Sequence, residues 1–197
     1  MVERAEWIKR QFAFGLPLGM YPNVVERVRG TPARLEDLTC SFMRVAQTLV
    51  CDSPPAGSQT EVCATLSPGI LTRRDGDKWS IQEQAGHLLD LEPLGMSRLD
   101  DFEAGRETLS AADMENRRTR DANHNTDTLA NILVRFRKER MDFVRRLASY
   151  DEAFVQRTAS HPRLKVEIRV IDLAFFIAEH DDHHLARISE LKRLFAA

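Results

Sequence analysis

Between Val166 and Leu194, the residues Val166, Val170, Leu173, Ile177, His180, His184, Ile188 and Leu191 recur at steps of three and four. That spacing puts them on one face of a helix. The stripe is apolar except at two adjacent turns, where it carries imidazole. Leaving a buried polar group unsatisfied costs about 1–3 kcal/mol, so two rings set into a core must be hydrogen-bonded or ligated. His183 shares a different, mostly polar face with Asp172, Glu179, Arg187 and Glu190. The spacing therefore singles out His180 and His184 as a convergent pair.

The rest of the chain supplies helices to bury this stripe. Residues Glu3 to Phe14 read as a short amphipathic helix with Trp7, Ile8, Phe12 and Phe14 turned inward, and a brief helix over Val24 to Val28 ends at Gly30. Thr31-Pro32 has the form of a hydroxyl N-cap followed by proline at the first helical position. From there Leu35, Leu38, Phe42, Val45 and Leu49 mark one core face. Asp52 to Trp79 is turn chemistry with a short helical piece near Leu66 to Leu71. Connections of that length often lie beside a site. Ser80-Ile81-Gln82-Glu83 forms a capping box that opens a helix to about Phe102, bent near Pro93. Arg106 to Thr126 is a polar loop with a short helix, and Leu129, Leu133, Phe136, Phe143 and Leu147 define a third long helix. Tyr150 to Pro162 connects it to the last one, and no strand alternation is evident. The expected fold is all-α: one four-helix-bundle domain over residues 1–197, with short extra helices and room for a crossover after the first long helix.

Composition excludes several functions. A formal charge of −2 with interspersed signs gives no electrostatic footprint for nucleic acid. No apolar run approaches the roughly 20 residues of a membrane span, and the start of the chain has no apolar signal core, so a cytoplasmic location is expected. Cys40, Cys51 and Cys63 are odd in number and lack CxxC spacing, which suits reduced thiols; nothing in the sequence supports a Cys51–Cys63 link across the intervening loop.

Imidazoles at i and i+4 can reach one point and share a metal. The run His180-Asp181-Asp182-His183-His184 is not HExxH, because no glutamate follows the first histidine. A third ligand has to come from another helix, and His87 is the histidine inside another long core helix. The competing reading keeps all three as core histidines bonded to backbone or carboxylate. His124 and His161 read as solvated, Asp181 and Asp182 as surface acids, and Arg187 as half of a surface ion pair. Glu83, one turn before His87, is the candidate catalytic base, although its capping-box role already accounts for it.

Three stretches carry a family resemblance: Gly30-Thr31-Pro32-Ala33-Arg34-Leu35; Lys78-Trp79-Ser80-Ile81 with Glu83 and His87-Leu88-Leu89-Asp90; and His180 through Ile188. Together they resemble the DinB/YfiT-like metalloenzymes of the DinB superfamily. The resemblance implies a four-helix bundle with a characteristic crossover and a metal site made by His87, His180 and His184. It implies nickel or zinc as the divalent metal, a small-molecule substrate and a homodimer. Characterised relatives include metal-dependent transferases that use low-molecular-weight thiols such as bacillithiol or mycothiol. The expectation is a metal-dependent thiol transferase, against a hydrolase or a non-catalytic dimeric binding module.

Overall fold

Thr31-Pro32 does start a long helix, though not by the capping mechanism its sequence suggests. In the computed structural model, which describes residues 4–48 and 68–196, helix α1 (Tyr21–Arg29) passes through Gly30 into α2 (Thr31–Thr48) almost without a break. Gly30 is itself in helical conformation, and its N–H donates to the Glu26 carbonyl. The Thr31 hydroxyl accepts from the Arg34 guanidinium rather than from a backbone N–H, and it donates to Asp181 Oδ2 at 2.7 Å, across the bundle.

Helix α3 (Ile81–Glu103) opens with the expected capping box: Ser80 Oγ accepts from Glu83 N–H and the Glu83 carboxylate accepts from Ser80 N–H. It runs unbroken through Pro93, where the sequence suggested an interruption. The polar stretch that follows holds α4 (Arg117–Ala122) and a 3-10 turn over His124–Thr126. Helix α5 (Leu129–Ala148) buries Leu129, Leu133, Phe136, Phe143 and Leu147, as their spacing requires. A short α6 (Glu152–Val155) precedes two small strands, β1 (Thr158–Ser160) and β2 (Glu167–Arg169), paired antiparallel with Ala159 opposite Ile168.

This hairpin corrects the expected start of the last helix. α7 spans Val170–Ala196, and Val166, assigned to the stripe by spacing, is exposed in the hairpin. The entry is set by Asp172, whose carboxylate accepts from the Arg169 N–H and guanidinium. The N-terminal segment differs too. Over residues 4–20 only the 3-10 turns Trp7–Lys9 and Leu18–Met20 form. Trp7 and Phe12 still turn inward, because they pack against Phe176 of α7, tilted and edge-on, at centroid distances of 5.1 and 4.9 Å; Ile8 is exposed. The segment is a strap along α7, tied down by Arg4 to Glu190 and by Arg10 to Glu179.

α2, α3, α5 and α7 form the bundle. α2 and α3 each pack on both α5 and α7, which places them on opposite corners. The N-terminal halves of α3 and α5 share one apolar cluster with the C-terminal half of α7, and the opposite halves share the other. α3 and α5 are thus parallel neighbours with α7 opposed to both, so the link from α3 to α5 runs back along the bundle. A polar layer lies between the two clusters, and it contains the histidines. The short helical piece expected near Leu66 to Leu71 is a 3-10 turn over Pro68–Ile70. Cys51, Cys63 and the Ser53–Ser58 turn lie outside the described residues, whereas Cys40 is a free thiol. Among the described residues, no helix is long and apolar enough to cross a membrane.

Candidate metal centre

His87 sits on the second turn of α3 with its ring 4% exposed. Facing it from α7 are His180 and His184, one turn apart. One nitrogen from each of the three rings lies within 4.8 Å of the other two. His180 Nε2 and His184 Nε2 are 3.1 Å apart.

The neighbours of these rings decide which nitrogen is free. His184 Nδ1 lies 2.5 Å from Gln84 Oε1, an acceptor, so Nδ1 carries the proton and Nε2 presents its lone pair. His87 Nδ1 lies 3.0 Å from the Thr119 hydroxyl, which itself bonds to Asp90. If that hydroxyl gives its proton to the carboxylate, it accepts from His87 Nδ1–H, and Nε2 is again the free atom. Orienting partners of this kind are what ligating histidines need. Burial pushes the pKa of His87 down to about 4, more than Asp90 can offset. Burial also pushes His180 and His184 well below the ordinary histidine value, with the neighbouring imidazoles adding to the effect. All three rings are neutral at pH 7, the form that binds a cation.

Two indoles bracket the cluster. Trp7 meets His180 edge-on at a centroid distance of 4.9 Å, and Trp79 lies 4.6 Å from His87. The rings open onto a cavity of about 430 Å³ floored by Leu91, Leu94, Phe143 and Phe176. The carboxylates on its wall are already engaged: Glu92 and Asp181 by Arg140, and Asp113 by the N–H groups of Glu115 and Arg117.

The remaining sequence candidates fall as follows. Glu83 is buried but outside the cavity wall; its oxygens accept from Ser80 N–H at 2.8 Å and from the Arg74 guanidinium. Asp182 pairs with Arg27 and Arg34 at the surface, as expected, whereas Arg187, expected in a surface ion pair, is buried where it pairs with Asp75 and Glu190. Asp181 is instead 1% exposed inside the bundle. His124 and His161, expected in solvent, are 4% and 1% exposed. The signal for His124 was Gly86, one residue before His87. A methyl group on Gly86 would fall inside the His124 ring, which is held by Asp90 at 2.8 Å. Gly86→Ala is therefore expected to destabilise the protein by about 2 kcal/mol, since overpacking and a lost buried bond outweigh the gain in helix propensity. Urea denaturation would measure this, and His124→Ala in the Gly86→Ala background should recover part of the loss.

No curated protein matches the chain. Among solved structures it is similar to YfiT from Bacillus subtilis, described as a probable metal-dependent hydrolase with an unusual four-helix bundle topology. The two are 17% identical with a TM-score of 0.65, over 94% of this chain and 93% of that one, a likeness of fold. The sequence model of the DinB superfamily matches residues 58–188. That match covers well over half of the 197 residues and takes in all three histidines, so the chain belongs to the DinB superfamily.

Proposed function

We propose that the chain is a metal-dependent enzyme in which His87, His180 and His184 hold a divalent cation, nickel or zinc, and that it transfers a low-molecular-weight thiol to a small electrophile. The observation that carries this reading is the convergence of three neutral imidazoles on the wall of a cavity large enough for a substrate. The donor set fits a cation: nitrogen ligands suit either metal, and three of them leave coordination positions open. Bound there, such an ion would lower the proton affinity of a thiol or a water entering the cavity.

The chain's own residues supply the rest. Gln84 and Thr119 fix the rings of His184 and His87, and Trp7 and Trp79 keep bulk water off them. Glu83 secures the first turn of the helix that carries His87. None of the described carboxylates on the cavity wall is free to take a proton from water. A thiol, with a reference pKa near 8.5, needs that help least, which favours thiol transfer. Hydrolysis is the second reading, supported by the fold shared with YfiT.

The test is metal quantification on tag-free protein purified without chelator. About one equivalent is expected for the wild type, with most of it lost in His184→Ala; equal metal content in the two would sink the proposal. Metal-dependent consumption of a thiol with an alkylating electrophile would then support transfer, and ester hydrolysis without thiol consumption would support the second reading.

A further inference from the structure

Two buried side-chain nitrogens among the described residues lack a hydrogen-bond partner, His161 Nε2 and Arg163 Nη2. Both residues line the cavity onto which the three histidines open. The local geometry makes both atoms donors. His161 Nδ1 accepts from the N–H groups of Arg163 and Leu164 at 3.3 and 3.2 Å. A neutral ring that accepts at Nδ1 carries its proton at Nε2. Burial, with Arg98 and Arg163 nearby, pushes the pKa of His161 down to about 4, so the neutral ring is the form present at pH 7.

Arg98 adds a second cation on the same wall. It is 4% exposed, and its Nε donates to the Ser110 carbonyl at 3.0 Å. Neither Arg98 nor Arg163 makes an ion pair within the described residues. Asp101 pulls on Arg98 electrostatically, but its oxygens bind the Ser110 N–H and Arg106. Arg163 is held instead by its contacts with aromatic rings, 5.6 Å from Phe176 and 6.0 Å from Trp7. Those two rings are also the link to the histidine cluster, because Trp7 touches His180.

An orphaned buried donor costs about 1–3 kcal/mol, and a chain that leaves two of them beside uncompensated charge is built for an acceptor from outside. We propose that His161, Arg163 and Arg98 form a subsite for the carboxylate of an organic-acid substrate, whose body lies over Phe176 and Phe143 toward the histidines. The claim rests on the metal-centre reading only for which end of the molecule reacts; the anion subsite stands on its own donors. Arginine suits the task because its fork matches two carboxylate oxygens.

The test uses metal-free protein, so that a carboxylate cannot gain affinity by ligating a metal, with phenylacetate and its neutral isostere 2-phenylacetamide as probes in calorimetric titration. Phenylacetate should bind about 10- to 100-fold tighter than the amide, as a charge-assisted hydrogen-bond pair allows. Arg163→Met should remove that preference while its zinc binding stays at the wild-type level. Equal affinity for the two probes, no binding of either, or undiminished phenylacetate binding by Arg163→Met would each overturn the subsite. The wild-type comparison of acid with amide decides the matter even where a variant folds poorly. Failure of the wild type to bind zinc while it still prefers the acid would count against the metal centre alone.

Discussion

Arg140→Met is expected to destabilise the protein by about 3–5 kcal/mol, the usual cost of removing one partner from a buried ion network. Arg140 is 2% exposed in the middle of α5. Its Nη2 donates to Glu92 of α3 at 2.6 Å and to Asp181 of α7 at 3.1 Å, and its Nη1 reaches the Val28 carbonyl of α1 at 3.3 Å. Thr31 at the start of α2 completes the set through Asp181. One guanidinium therefore ties every long helix of the bundle to the polar layer. Burial alone would lower its pKa, but Asp181 and Glu92 more than reverse this and keep it charged. Methionine would fill much of the space and leave two carboxylates facing each other without a cation.

Two further outcomes separate this from simple loss of packing. The penalty should shrink between pH 7 and pH 5, as the stranded Glu92, whose carboxyl burial already pushes up, takes up a proton and the repulsion ends. Arg137→Met, three residues away, should cost under about 1 kcal/mol, because its pair with Glu36 is exposed and screened. Chemical denaturation of both variants at the two pH values would check this. A penalty for Arg140→Met no larger than that for Arg137→Met would refute the network's role. Function should suffer as well, since Asp181 is the residue after His180 and its bond to Arg140 fixes how α7 is turned toward the cavity.

Much of this was legible in the sequence. Helical periodicity reports which face is buried, so α3, α5, α7 and the pairing of His180 with His184 could be read from spacing, and His87 from its place inside another core helix. Periodicity does not report partners. Arg140 sits in a helix whose outer face is rich in arginine and lysine, and nothing local distinguishes the one arginine that meets two carboxylates from distant helices. The same blindness placed Asp181, His124 and His161 in solvent. The strap over residues 4–20 has a helical pattern of aromatic residues, but tertiary packing against Phe176 outweighs its weak propensity. Strands of three residues, such as β1 and β2, are too short for alternation to show.

Acidifying the metal-free protein from pH 7 toward pH 4.5 is expected to unfold it, before most of its carboxylates titrate. His87 and His161 have pKa values near 4 in the folded chain, burial being the main cause, against about 6.5 when unfolded. Between those values the unfolded state binds protons that the folded state refuses, so stability rises with pH across that window. It is complete above about pH 6.5 and falls away toward pH 4, by on the order of 3 kcal/mol for each of the two rings. Burial also holds His180 and His184 well below the ordinary histidine value, and they act in the same direction. Glu92, whose carboxyl burial pushes up despite Arg140, acts the other way, but it is one group against five, because burial lowers His183 to about 4 as well. Asp172 and Glu179, held below the usual carboxylate range mainly by bonds to arginine that outweigh burial, lose their contributions only at lower pH. A net stability of about 5–15 kcal/mol cannot absorb the histidine losses with much to spare. Saturating zinc should shift the transition to lower pH and steepen it, since ligated rings resist protonation until the ion leaves. Urea midpoints that stay level from pH 7 to pH 5 would show that the rings are solvated, and the buried polar layer would have to be abandoned.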